Sequence, residues 1–362
     1  MPCGKCGIGS KLEADCKSRP KEVKARLCEW RIRAVTIYRK GRDVRMILTD
    51  YFLAKHDIMW DYAKQCGVQR AVLRAPEEET FDVTDQSHWQ DIYKRFLDFG
   101  IPPMVLEPMP DSLHTHIKIG DEKRDESIEK VIKMLPILQK LNITTICFNW
   151  MAHIGWLRTS DSVPERGGAR VTGFDLREFK PGIQKITAEK LWENYEYFLK
   201  AVMPYAEKYE IKLALHPDDP PLLKLGDVER IMISRANIEK AIHLYESPYL
   251  GITMCQATYC MMGEDIYKII EDLREKIFFV HFRNAVGNKE HFHETFHDNG
   301  MIDMKKAIRY YQKFTPDVPV RVDHVPLMAG EEQSKAGYTH LGRLFAIGYL
   351  KGLMEEERNY EF

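Results

Sequence analysis

From residue 46 onward, short apolar runs rich in Val, Ile, Leu and Phe recur, with polar, helix-spaced stretches between them. They fall near residues 46–52, 70–74, 103–107, 143–149, 211–215, 250–254, 277–281 and 319–323, which makes eight strand candidates. Runs that are apolar throughout, rather than alternating, read as strands buried on both faces. Between them, residues 127–140 place Ile128, Val131, Ile132, Leu135 and Leu138 on one helical face, and residues 191–209 carry an aromatic stripe that includes Trp192, Tyr195 and Tyr197. That stripe reads as packing of a helix on the sheet, because aromatic rings supply large apolar area. Strands alternating with helices imply parallel pairing and right-handed crossovers. Eight such units in about 317 residues predict a single-domain α/β protein, a (β/α)8 TIM barrel, over residues 46–362.

Side chains at the C-terminal ends of barrel strands converge on one place. The fifth strand ends at His216, held extended by Pro217; the sixth ends at Met254 with Cys255; the seventh ends at His281; the eighth ends at Asp323. Four consecutive strands thus each offer a ligand. Imidazole, thiolate, imidazole and carboxylate together suit Zn, Fe, Co or Mn better than Mg or Ca. The segment 278–304 adds weight to that end, packing His281, His291, His293 and His297 together with Arg283, Glu294, Asp298 and Asp303. The bland alternative there is a core histidine followed by a solvated loop. Residues 151–186, with the run PERGGARVTGFD, are longer and more glycine-rich than a connection needs, and predict a lid over the site.

Composition narrows the class. With 44% hydrophobic and 30% charged residues the chain can bury a large core, and no apolar run approaches the roughly 20 residues that span a bilayer. No segment near the start resembles a signal peptide, and eight cysteines without a regular framework read as reduced thiols, so a cytoplasmic enzyme is expected. Charge is uneven. Residues 1–45 hold 13 Lys and Arg against 5 Asp and Glu, a net of +8, leaving a net of −9 for the rest. This basic extension carries Cys3, Cys6, Cys16 and Cys28 and little amphipathic pattern before Val35; it reads as disordered and dispensable, with Met46 as an alternative start, rather than as a zinc knot.

LALHPDDPP at 213–221, GITMC at 251–255, HFRN at 281–284, FHETFH and IDM between 292 and 304, VDH at 322–324 and GYTHLGR at 337–343 together resemble the D-mannonate dehydratase family. HIK at 116–118 and CFNWMAHIGWLRT at 147–159 look like the same family, and the resemblance spans about residues 46–355. It implies a metal-dependent, xylose-isomerase-like barrel that removes water from D-mannonate to give 2-dehydro-3-deoxy-D-gluconate in hexuronate breakdown, with Mn2+ or Fe2+ as the cofactor. The family's ligands match His216, Cys255, His281 and Asp323, and its acid and base match His324 and Tyr338. Such an elimination takes a proton from the carbon beside a carboxylate and protonates a departing hydroxyl, so it needs two titratable groups and cations for the developing charge. Arg283, Arg158 and Asn149 are expected to fix the substrate carboxylate or hydroxyls, with His293 and His297 touching substrate or supporting the metal. The partner expected is a small sugar acid, with neither nucleic acid nor membrane; a homo-oligomer is one option for assembly. Three departures from the family pattern are visible: no Arg-Trp-Tyr-Gly opening on the first strand, Gln256, Ala257 and Thr258 after Cys255, and Val325 after the Asp-His pair. Placed beside the substrate, they would bear on which sugar acid is used. A dehydratase or isomerase of a related acid, or a binding protein without catalysis, are the alternatives.

Overall fold

A computed structural model describes residues 46–356; the basic segment 1–45, and the expectation that it stands apart from the barrel, lie outside the described residues. Eight parallel strands close into a barrel: β1 (Ile47–Phe52), β2 (Arg70–Leu73), β3 (Pro103–Leu106), β4 (Thr145–Asn149), β5 (Lys212–His216), β6 (Leu250–Cys255), β7 (Ile277–Phe282) and β8 (Pro319–Val322). Each strand pairs with its sequence neighbours, and β8 closes on β1 with Ile47 opposite Pro319. The apolar runs therefore mark the eight strands to within about two residues.

The connecting helices are α1 (Ile58–Cys66), α2 (Gln86–Phe99), α3 (Asp111–Ile119), α4 (Arg124–Lys140), α5 (Ala188–Lys208), α6 (Arg235–His243), α7 (Gln256–Met261), α8 (Ile266–Asp272), α9 (Met304–Phe314) and α10 (His340–Glu356). Several start at a side-chain cap that satisfies an otherwise orphaned amide: Asp57 accepts from Met59 N, Thr187 from Lys190 N and Asp303 from Lys306 N. Their apolar faces cover the barrel, as Val131, Leu135 and Leu138 of α4 and Tyr195, Phe198 and Leu199 of α5 show. Burying each such side chain contributes about 1.5–3 kcal/mol. Tyr195 stacks edge-on against Trp150 inside this layer, and Trp192 joins the same core, so the aromatic stripe is packing. The barrel interior is a smaller cluster of Val72, Val105, Cys147, Ala214, Phe278 and Phe279, beneath the catalytic end. None of the described helices is long and apolar enough to cross a membrane.

Residues 151–186 are not a loop lid. Strands Ser160–Pro164 and Arg170–Asp175 pair antiparallel, and the second pairs with His291–Glu294, which pairs in turn with Ala285–Asn288. The polar half of the 278–304 segment and the long insertion after β4 are thus one four-stranded sheet. Their pairing joins residues more than 100 positions apart, which local periodicity does not register.

Candidate active site

His216, Cys255 and His281 sit at the last positions of β5 and β6 and near the end of β7, with Cys255 opposite His281 in register. Their ligating atoms all lie within 4.8 Å of one another. The Asp323 carboxylate reaches in from the end of β8, with Oδ2 3.6 Å from His281 Nδ1. His216 Nδ1 donates to the Pro217 carbonyl at 2.6 Å, which leaves Nε2 as the ring atom able to serve as a ligand. His281 Nε2 lies 2.8 Å from Glu107 Oε1, yet both ring nitrogens are buried without a well-aligned hydrogen bond. Burial alone would push the Cys255 thiol up, but the Arg283 guanidinium, 3.2 Å from Sγ, and the imidazoles of His216 and His281 bring it well below its ordinary range, as a thiolate. Burial and Arg321 oppose charge on His281, yet Glu107 and Asp323 hold its proton well above the usual range. Two carboxylates and a thiolate around ring nitrogens without such a bond favour a cation at this point, and the mixed N, S and O set fits a divalent transition metal.

Glu107, Cys147 and His281 also cluster. Arg321 already donates to both oxygens of Glu107, at 2.8 and 3.0 Å, and burial pushes the Cys147 thiol up to about 11. A protonated thiol and a neutralised carboxylate make a support for His281, not a second metal site.

Arg283 and Arg158 stand off the cavity wall. Their side chains are 1% and 3% exposed, and both guanidinium groups pair with Asp219 and Glu294 in one buried belt. Burial would raise the two carboxyls, but the two arginines hold both below their ordinary values. His293 lies in the four-stranded sheet opposite Gly173, off the cavity wall, and His297 is fully buried with Nε2 2.8 Å from the Phe282 carbonyl oxygen. Burial lowers His297 to about 4, which keeps it neutral and structural. Of the five residues expected to touch substrate, only Asn149 lines the cavity.

That cavity, about 550 Å³, is lined by His216, His281 and Asp323 of the candidate ligand group and is large enough for a six-carbon acid. His324 and Tyr338 both line it, with ring centroids 5.6 Å apart at right angles. His324 adopts φ of +34, an unusual backbone state for a residue with a Cβ, held between the Asp323 N to Phe282 O and Val325 N to Gly337 O hydrogen bonds. Its Nδ1 lies 3.1 Å from Glu294 Oε1, which accepts, and 3.0 Å from Arg283 Nη1, which donates, so the two groups clamp the ring at that nitrogen. Gly337, at φ +115, turns the chain so that the Tyr338 ring is 41% exposed in the cavity while its hydroxyl points inward. That hydroxyl donates to Asp323 Oδ1 at 2.8 Å, and burial together with the Asp323 charge holds the phenol well above its ordinary range.

The departures from the family pattern lie behind the wall. Gln256 donates to the Arg283 carbonyl and accepts from Tyr311, while Thr258 accepts from Arg283 and touches the Cys255 sulfur. Neither they nor Ala257 nor Val325 line the cavity, contrary to the expectation that they border the substrate. Missing from the sequence reading are Glu107, Arg321 and Lys118. Glu107 follows β3 directly, so the strand-end rule applied to the first half of the barrel finds it; Arg321 is a charge inside an apolar strand; Lys118 stands in the HIK motif.

The family model for D-mannonate dehydratase (UxuA) matches residues 45–181 and 176–362. A mannonate dehydratase of Streptococcus uberis is 31% identical, over 80% of this chain and 90% of that protein. The crystal structure of mannonate dehydratase from Streptococcus suis serotype 2 superposes with a TM-score of 0.78 at 26% identity, covering 87% of this chain and 94% of that one. A xylose isomerase domain protein from Planctomyces limnophilus, at 13% identity and a TM-score of 0.58, covers 88% of this chain and 100% of that chain and shares the fold alone. With the barrel, the strand-end residues and a match running through both halves of the described chain, this protein belongs to the D-mannonate dehydratase family of hydro-lyases.

Proposed function

We propose that the cavity removes water from D-mannonate, with Mn2+ or Fe2+ held by His216, Cys255, His281 and Asp323. The observation that carries this reading is the convergence of three ligand atoms within 4.8 Å, one of them a buried ring nitrogen without a well-aligned hydrogen bond, at a cavity that also presents His324 and Tyr338. A bound divalent cation supplies Lewis-acid stabilisation of negative charge on substrate oxygens.

The remaining work belongs to side chains. The proton on C2 is weakly acidic, and His324, clamped at Nδ1 between Glu294 and Arg283 with its ring on the cavity wall, is the group placed to take it. Tyr338, held protonated by its surroundings, is the group suited to give a proton to the departing C3 hydroxyl. The C2–H and C3–O bonds break, water leaves, and the resulting enol tautomerises to the 2-keto-3-deoxy acid. Arg283 meets His324 Nδ1 directly, and both Arg283 and Arg158 fix Glu294, the imidazole's other neighbour at that nitrogen. Because the departing positions Gln256, Ala257, Thr258 and Val325 stand off the cavity wall, they give no reason to favour another sugar acid.

The purified protein loaded with Mn2+ or Fe2+ is expected to form a 2-keto acid from D-mannonate, read by a colorimetric keto-acid assay. Binding of D-mannonate without any keto acid, with either metal, would leave a sugar-acid binding protein and overturn the reading.

A further inference from the structure

The α3 side of the cavity wall holds a charge that nothing yet described uses. Lys118 lies on α3, is 5% exposed and lines the cavity. Its ammonium makes one hydrogen bond, a long one of 3.3 Å to Asn149 Oδ1, and among the described residues no carboxylate stands within ion-pair distance of it. Every other permanent cation on the wall is matched: Arg74 by Glu77, Arg321 by Glu107 and Asp323, Arg343 by Asp50. A buried ammonium without a counter-ion is unfavourable, and proteins keep such groups where a ligand completes them.

The backbone that carries Lys118 is held in place. Asn194 of α5 donates to the Lys118 carbonyl at 3.0 Å, and Gly120, at φ +70, ends α3 so close to Asn194 that a Cβ there would stand 2.5 Å from its Oδ1. Asn149, the hydrogen-bond partner, is the register neighbour of His216 across β4 and β5, which places the ammonium beside the metal-ligand group. Burial lowers the ammonium to about 8, against the raising effect of Asp111 and Asp218 and with Arg230 adding to the fall, so it remains mainly charged at neutral pH.

We propose that Lys118 is the counter-ion of the substrate carboxylate, an assignment that rests on the reading of this cavity as the dehydratase site. With the two buried arginines occupied by Asp219 and Glu294, Lys118 is the cation on the wall still able to pair. An ammonium there also offsets the second negative charge that builds when the proton beside the carboxylate is removed.

The test is Lys118→Met in the full chain, which keeps the length of the side chain and removes the charge. Calorimetric titration of Mn2+-loaded protein compares D-mannonate with mannitol, the uncharged polyol of the same carbon number. D-Mannonate is expected to bind the variant about 10–100-fold more weakly, the worth of a charge-assisted hydrogen bond, with mannitol unchanged. Metal content and unfolding temperature are expected to hold or rise, because an unpaired buried charge has been removed; a structural role would lower both. Lys118→Arg is expected to restore most of the affinity. Equal D-mannonate affinity in wild type and Lys118→Met, or equal weakening of mannitol, would overturn the assignment. Absence of turnover in the wild type, with the carboxylate-specific loss of binding still present, would sink the dehydratase reading and leave the anion site standing.

Discussion

The two walls of the cavity differ in how they treat charge. On the side built by β5 to β8, Arg158, Arg283, Arg321, Asp219, Glu294 and Asp323 interlock, and each guanidinium meets carboxylate oxygens. On the side built by α3 and β4, Lys118 has one amide oxygen and no counter-ion among the described residues. The guanidinium groups of the first wall already have carboxylate partners, so they can hold the candidate ligands and the His324 imidazole in place. The second is incomplete until an anion arrives. Counting arginines near a site therefore misleads: a paired guanidinium positions, and an unpaired ammonium binds.

The largest expected effect comes from breaking the ligand group on the first wall. Cys255→Ser removes the thiolate that Arg283 and the two imidazoles hold ionised. Most bound Mn2+ should be lost, with a far-ultraviolet circular dichroism spectrum like that of the wild type. Unchanged metal content by elemental analysis would remove Cys255 from the set.

Next come His324 and Tyr338, the groups proposed to move protons. His324→Ala and Tyr338→Phe should each lower kcat by about 10²–10⁴-fold with metal content kept. Near wild-type turnover of D-mannonate by both variants would show that neither moves a proton.

The smallest change in catalysis, though not in stability, is expected from Arg158→Met. Removing one member of a buried pair leaves Asp219 and Glu294 short of a partner, which destabilises by about 3–5 kcal/mol. Urea denaturation should show that loss while KM for D-mannonate in the folded enzyme changes little. A raised KM without loss of stability would mean that Arg158 does touch substrate, and would erase the contrast with Lys118.

Much of the site was legible because the barrel turns sequence position into spatial position. A strand that is apolar along its length and ends in His216, Cys255 or His281 delivers that side chain to the same rim as its neighbours, and eight recurrent runs suffice to establish the rim. The roles of Arg283, Arg158, His293 and His297 were not legible, since proximity in sequence to a ligand says nothing about which way a side chain points. His297 lies 15 residues beyond Phe282, the end of the His281 strand, and yet turns back to the Phe282 carbonyl.

The sequence alone determined the order and period of the strands, the parallel closure they require and the chemistry available at their ends, because all of these follow from local burial pattern and chain direction. Only the tertiary structure decided the state of each charge. Asp219, Glu294 and Arg158 come from different connections after β5, β7 and β4, so whether a guanidinium is free or neutralised depends on contacts between segments separated by 61 and 136 positions. The same holds for Lys118. Its lack of a partner is a property of the space around it, and no local pattern encodes the absence of a carboxylate.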